Sequence, residues 1–253
     1  MYLPPLAAPS ADVPAPGGHT YGGVLLRQGD ISDGELLEAL GGIRFSGWVA
    51  PPCDGWVVVL GEPGGGVVAD GRRGMIEVGQ LLAERAAGPV LAVRVRMDRQ
   101  LALVAWREGA EVARYCSDPS REPGADEEVL DAPIGAESAE TLAELWEHPD
   151  AAEDLSELLE DELDPDSVHE SERLGRVLRI LGLPAWLVAA GELPRRMPTG
   201  PRPAEMRRLR TGRTGATGRM LDFVTRRVRR RQSPPPVIAD PPRGTGAGFD
   251  PWM

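Results

Sequence analysis

The alternation of apolar and polar positions is clearest between Pro89 and Pro119, where three short apolar runs follow one another with only tight turns between them. Leu91, Val93, Val95 and Met97 alternate with Ala92, Arg94 and Arg96, which predicts a strand with one buried and one solvated face. Asp98-Arg99-Gln100 reads as a turn, Leu101 to Trp106 as the return strand, Glu108-Gly109 as a second turn, and Val112 to Cys116 as the end of a meander.

The residues before the meander are patterned to cover it. Tyr21 opens a short strand that continues through GGVLLRQ. SDGELLEALGG then predicts a helix, with Ser32 as N-cap, Glu35 completing a capping box and Gly41 or Gly42 as the stop. A strand is expected from Ile43 to Val49, ended by Pro51 and Pro52. WVVVL (Trp56 to Leu60) is a continuous β-branched run of the kind that both faces of a sheet bury, and GEPGGG turns it back into Gly66 to Ala69. That glycine-rich loop lacks a following Lys-Ser/Thr and opens no helix in a GxGxxG pattern, so it reads as a hairpin loop rather than a phosphate cradle. From Met75 to Ala87 a stripe of Met75, Val78, Leu82 and Ala86 predicts an amphipathic helix closed by Gly88-Pro89.

After Pro119 the β pattern stops. A polar loop leads into three amphipathic helices, Ser138 to Glu147, Asp150 to Leu163 and Ser167 to Leu181, each with a start signal at its first residue. Pro184 to Val188 adds a short apolar piece. The fold class that follows is α+β: a small, mainly antiparallel sheet with one or two packed helices, then an acidic helical segment, then disordered tails. The map is an arm at 1 to 20, an α+β domain at 21 to 119, acidic helices at 120 to 193 packed on or beside it, and a Pro/Gly/Arg-rich tail at 194 to 253. Within that tail a basic amphipathic helix is expected over 219 to 232, with Met220, Leu221, Val224 and Val228 on one side and Phe223 nearby.

Charge sharpens this map. Residues 118 to 172 hold 21 acids against Arg121 alone, while 195 to 231 hold 13 arginines against Glu205 and Asp222, so the net charge of −11 conceals two opposed blocks. All 28 basic residues are Arg, with no Lys or Asn anywhere, a bias expected of a GC-rich, actinobacterial type of genome. Individual arginines are therefore weaker evidence of a chosen clamp than usual, although the forked guanidinium chemistry remains.

Candidate chemistry is sparse. Cys53 and Cys116 stand outside any metal or CxxC spacing and read as buried reduced thiols. His19, His148 and His169 lack an HxxxH or HExxH pattern, GxSxG is absent, and the acidic run from Glu160 to Asp166 supplies no EF-hand register. No cofactor or metal is implied. With no basic, apolar leader and no apolar stretch of ~20 residues, a cytoplasmic protein without a transmembrane segment is expected.

The order of a meander ending in Tyr115, Ser117, Asp118 and Pro119, then acidic helices, then SERLGRVLRILGLP from Ser171 to Pro184 resembles a loose set of uncharacterised bacterial α+β proteins, over roughly residues 43 to 190. That resemblance brings no activity and no functional residue with it. Three readings remain. The first is a non-enzymatic interaction or regulatory protein with a protein partner, working through the acidic helices and the arginine-rich tail, which would attract one another. The second is a binder of nucleic acid or anionic membrane through 195 to 231, with Arg207, Arg208, Arg210, Arg226, Arg227, Arg229, Arg230 and Arg231 as contacts. The third is an enzyme with a dispersed site.

Overall fold

Both faces of the sheet are buried, which the alternation in the meander did not foretell. The computed structural model describes residues 19 to 239 except 65, 123, 126 to 131, 162 to 168, 196 and 198 to 199. The expected N-terminal arm up to residue 18, the start signal at Ser167 and the end of the chain from residue 240 lie outside the described residues. Seven strands form one antiparallel sheet: β1 (Tyr21–Arg27), β2 (Gly47–Val49), β3 (Trp56–Gly61), β4 (Val90–Arg96), β5 (Gln100–Arg107), β6 (Ala110–Cys116) and β7 (Arg207–Leu209). Their spatial order is β6-β5-β4-β1-β3-β2-β7.

One face carries Val24, Leu26, Val57, Val59, Ala92 and Val104, covered by α1 (Asp33–Gly42) and α2 (Met75–Ala83). The capping box is present at α1, where Ser32 Oγ accepts from Glu35 N and Glu35 Oε2 accepts from Ser32 N. The opposite face carries Leu25, Val58, Leu91, Val93, Leu103 and Tyr115 and packs against α3 (Ala139–Leu145), α4 (Ala152–Glu160) and α5 (Glu170–Ile180). The acidic helices therefore lie on the sheet, with their leucines inward and, apart from the buried Glu170, their carboxylates outward.

Several local expectations change. The strand expected over Ile43 to Val49 is confined to β2, because Arg44 takes a positive φ and Phe45 N bonds back to Leu40 O at the end of α1. Gly66 to Ala69 forms no strand. Ala69 makes an isolated bridge to Arg73, and Gly64 and Gly66 take the positive φ expected of the loop. The β4–β5 turn falls at Met97-Asp98, both with positive φ, and it places Asp98 to cap α5: Asp98 Oδ1 accepts from Ser171 N at 2.8 Å and from Ser171 Oγ at 2.6 Å. Cys116 is buried, which pushes its thiol up to about 12, whereas Cys53 is exposed, contrary to expectation.

The largest correction concerns the tail. Its described part is folded: β7 pairs with β2 in the register Trp48↔Arg208, and α6 (Gly215–Arg229) follows a turn whose Gly212 N bonds to Phe45 O. Composition argued for disorder because few residues there can bury apolar area. The open edge of β2 supplies backbone partners instead, and Met197, Met206 and Leu209 join the core. Beyond α6 the chain crosses back over the α2 face to Val237, which is 3% exposed. Its N–H donates to Glu122 Oε2 at 2.8 Å, and its carbonyl accepts from Arg114.

Arg94, expected on a solvated face, is 5% exposed. Its Nη2 pairs with Glu122 Oε1 and donates to Gln100 Oε1 at 3.1 Å, while Gln100 Nε2 donates to Asp118 O at 2.7 Å. Arg96 is half-buried and donates to Arg121 O. A charged residue in an alternating strand was thus covered by the turn after β6 and by the chain's last described segment.

Candidate functional site

The arginines of the folded tail are sorted by geometry into three groups. Strand alternation places Arg207 on one side of β7, beside Leu36, Pro51 and Glu205, and Arg208 on the other, with its guanidinium 4.8 Å from the Trp48 ring centroid. Arg210 follows in an isolated bridge with Arg213. Arg226 and Arg227 belong to the last turn of α6, where cations oppose the negative end of the helix dipole, and Arg230 and Arg231 come directly after.

Arg229 is the anchor of this arrangement. It is 6% exposed and makes four hydrogen bonds: Nη1 to Ser46 Oγ at 2.9 Å and Val68 O at 3.0 Å, and Nη2 to Arg44 O at 2.7 Å and Asp70 Oδ1 at 3.0 Å. Its Nη donors are taken up by the fold. On the other side of Arg230 and Arg231, Arg72 Nε and Nη2 hold the Ser233 carbonyl at 3.1 and 2.9 Å. The side chains of Met220, Leu221, Phe223 and Val224 lie outside the described residues, and Val228 is exposed.

Arg208, Arg210, Arg226, Arg227, Arg230 and Arg231 converge with Asp222 on a cleft of ≈610 Å³. Glu62 stands beside it, 2.8 Å from Arg226 and 3.7 Å from Arg208, and Asp222 is 3.9 Å from Arg210. Six guanidinium groups against two carboxylates leave four positive charges uncompensated. Burial, with the Arg210 guanidinium next to it, lowers the pKa of Arg208, and Glu62 opposes that shift. The cleft is therefore an electropositive concavity in which Arg208 is partly desolvated.

Of the eight arginines that the sequence suggested as contacts, six meet in the cleft, while Arg207 and Arg229 do not. Glu62, the acid that orients two of the six, was not anticipated. Its signal is only its place at the end of β3, across from β2. The tail arginines pair with Glu62, Asp70 and Asp222, and none pairs with a carboxylate of residues 118 to 172 among the described residues. The expected attraction between the two charge blocks is not seen there. Part of the reason is distance: α3 rests on β6 and α5 on β5, toward the sheet edge opposite β7.

A second polar cluster lies between the sheet and α5. Glu170 is fully buried, Arg173 Nε is 3.5 Å from Oε2, and the Ser117 hydroxyl is the polar group nearby that favours its charged form. Arg173 also donates to Tyr115 OH and Asp161 O, and Tyr115 OH donates to Leu159 O at 3.0 Å. Burial raises the pKa of Glu170 and the charge of Arg173 opposes it. A carboxyl whose folded pKa exceeds the unfolded one stabilises the fold below its ordinary range near ~4.3, and that contribution is lost as pH rises through the folded value. Glu170→Gln is therefore expected to match the parent near about pH 4 and to be the more stable of the two near about pH 7. Urea midpoints at the two pH values check it, and a gap independent of pH would refute the assignment.

Four acids and one arginine of this side, Asp154, Glu157, Glu160, Asp161 and Arg176, flank a hollow between α4 and α5. His169 stands 3.6 Å from Asp98, His19 3.7 Å from Glu192, and His148 packs on Gly182. No group of three or more metal-ligating side chains occurs among the described residues, and no described helix is long and apolar enough to cross a membrane. No family model, curated protein or solved structure matches this chain.

Proposed function

We propose that the protein is a non-enzymatic interaction protein that binds an anionic partner in the arginine cleft. The observation that carries this reading is the convergence of six arginines from β7, the bridge after it and the end of α6 on one concavity with a surplus of four positive charges. The acidic helices cover the sheet face that bears Leu25, Val58 and Leu103. A polyanion approaching from that side is repelled, so the charge layout steers it to present itself to the cleft. Two free thiols, one of them exposed, fit a reducing cytoplasmic compartment.

The test is retention on heparin at low salt. The full chain should bind despite its overall acidity and elute as salt rises, because ion release makes such binding steeply salt-dependent. Arg227→Gln combined with Arg230→Gln should elute earlier. A chain that passes through heparin at low salt would remove this reading.

A further inference from the structure

We infer that the ligand group recognised by the arginine cleft is a compact chain of linked phosphoryl groups, as in a nucleoside triphosphate or a free inorganic oligophosphate, rather than the backbone of a nucleic acid. The inference rests on the anion-binding reading above and narrows it.

Three observations point this way. The first is shape. The six guanidinium groups do not run along a face but meet around ≈610 Å³, within the ~300–1,000 Å³ usual for small-molecule sites. Two arginines of the tail stand apart from this concavity, since Arg207 lies across β7 and Arg229 is buried among its own acceptors. A duplex needs phosphate contacts spread over a track, and the acidic helices of the same molecule would repel its flanks.

The second is charge. A terminal phosphoryl group carries roughly 1.5 to 2 negative charges near pH 7, so one phosphate leaves part of the surplus of four unanswered, and two or three linked groups match it. The carbonyl end of α6 contributes only about half a negative charge, too little to change that balance. Guanidinium forks pair two-pronged with phosphoryl oxygens, and Arg227, Arg230 and Arg231 are not engaged in any ion pair among the described residues.

The third is preorganisation. Arg208 lies over Trp48, Arg226 is held by Glu62, Arg210 by Asp222, and the backbone carrying Arg230 and Arg231 is fixed on one side by Arg229 and on the other by the Arg72 clamp on Ser233. Less ordering remains to be done when the anion arrives, which favours a small ligand that cannot gather many weak contacts.

Calorimetry on the full chain with sodium tripolyphosphate, ATP, inorganic phosphate and a short DNA duplex, all at the same low salt, tests this. Tripolyphosphate and ATP should each bind one per chain, at least about tenfold tighter than inorganic phosphate, and should displace the protein from heparin. Equal affinity for the two would identify the phosphate chain alone as the ligand, and tighter ATP binding a nucleotide. Either result supports the proposal. Arg227→Gln with Arg230→Gln should abolish the difference from inorganic phosphate while circular dichroism shows the fold kept, and the double Lys variant should recover only part of it, since charge returns without the fork. A protein retained on heparin that binds tripolyphosphate no better than inorganic phosphate, or that prefers the duplex, overturns the inference and leaves the broader reading standing. A protein that binds neither heparin nor tripolyphosphate overturns both.

Discussion

Glu122→Ala is expected to lower the free energy of unfolding by about 3–5 kcal/mol, because it leaves the Arg94 guanidinium charged, buried and without its counter-ion. Arg94 is 5% exposed and reached from β4, while Glu122 comes from the turn after β6, so the pair ties that turn to the middle of the sheet. The same carboxylate also accepts from Val237 N and from Gln100 Nε2, so its loss frees the last described segment of the chain from the α2 face as well. Urea unfolding of the single variant measures the cost. Combining Glu122→Leu with Arg94→Met removes both charges and should restore most of the stability, since apolar replacements of a buried ion pair are often neutral or better. A single variant that loses less than about 1 kcal/mol would mean that water reaches the pair.

The contrast between Arg94 and Arg208 explains what could be read in the sequence. Strands, helices and the capping box at Ser32 and Glu35 follow from local patterns, and they stand largely where the pattern puts them. What a local pattern cannot contain is the element that later covers a face. The alternation around Arg94 is genuine, yet its solvated side is occupied by Glu122 and Val237, which arrive from far along the chain. The same limit misled the reading of the tail. Pro, Gly and Arg composition argues against a private core, but β7 needs none, because β2 presents an unpaired edge with Trp48 opposite Arg208.

The candidate site was legible as residue types and not as an arrangement. A basic run between 195 and 231 is plain, and Arg208 and Arg210, two apart, would share a face in any strand. On a helix of about 100° per residue, Arg226, Arg227 and Arg230 fall within one arc and Arg229 outside it, a phase difference that separates the cleft arginines from the anchor. The helix itself is expected over 219 to 232, but which of its arginines is the anchor depends on acceptors supplied from far along the chain by Arg44, Ser46, Val68 and Asp70.

Arg229→Ala is for that reason expected to cost about 3 kcal/mol of stability and, separately, to weaken anion binding, although the residue does not line the cleft. The variant removes a donor from each of four oxygens: Val68 O keeps Ser46 N and Ser46 Oγ keeps Thr211 N, while Arg44 O loses the donor that holds it to α6. With its last turn released, α6 no longer holds Arg226, Arg227 and Arg230 in register with Arg208 and Arg210, so the ordering that the native fold supplies must be met on binding. Arg227→Gln should behave in the opposite way. Being exposed and in no ion pair among the described residues, it should leave unfolding within about 0.5 kcal/mol of the parent and still reduce heparin retention. Arg229→Lys distinguishes anchoring from charge: an ammonium keeps the charge but cannot span Ser46, Val68, Arg44 and Asp70 together, so it should restore only part of either property. Urea denaturation paired with salt elution from heparin reads both axes on the same samples. If Arg229→Ala unfolds and binds like the parent, α6 is held by something other than this guanidinium, and the cleft loses the support on which its preorganisation was argued.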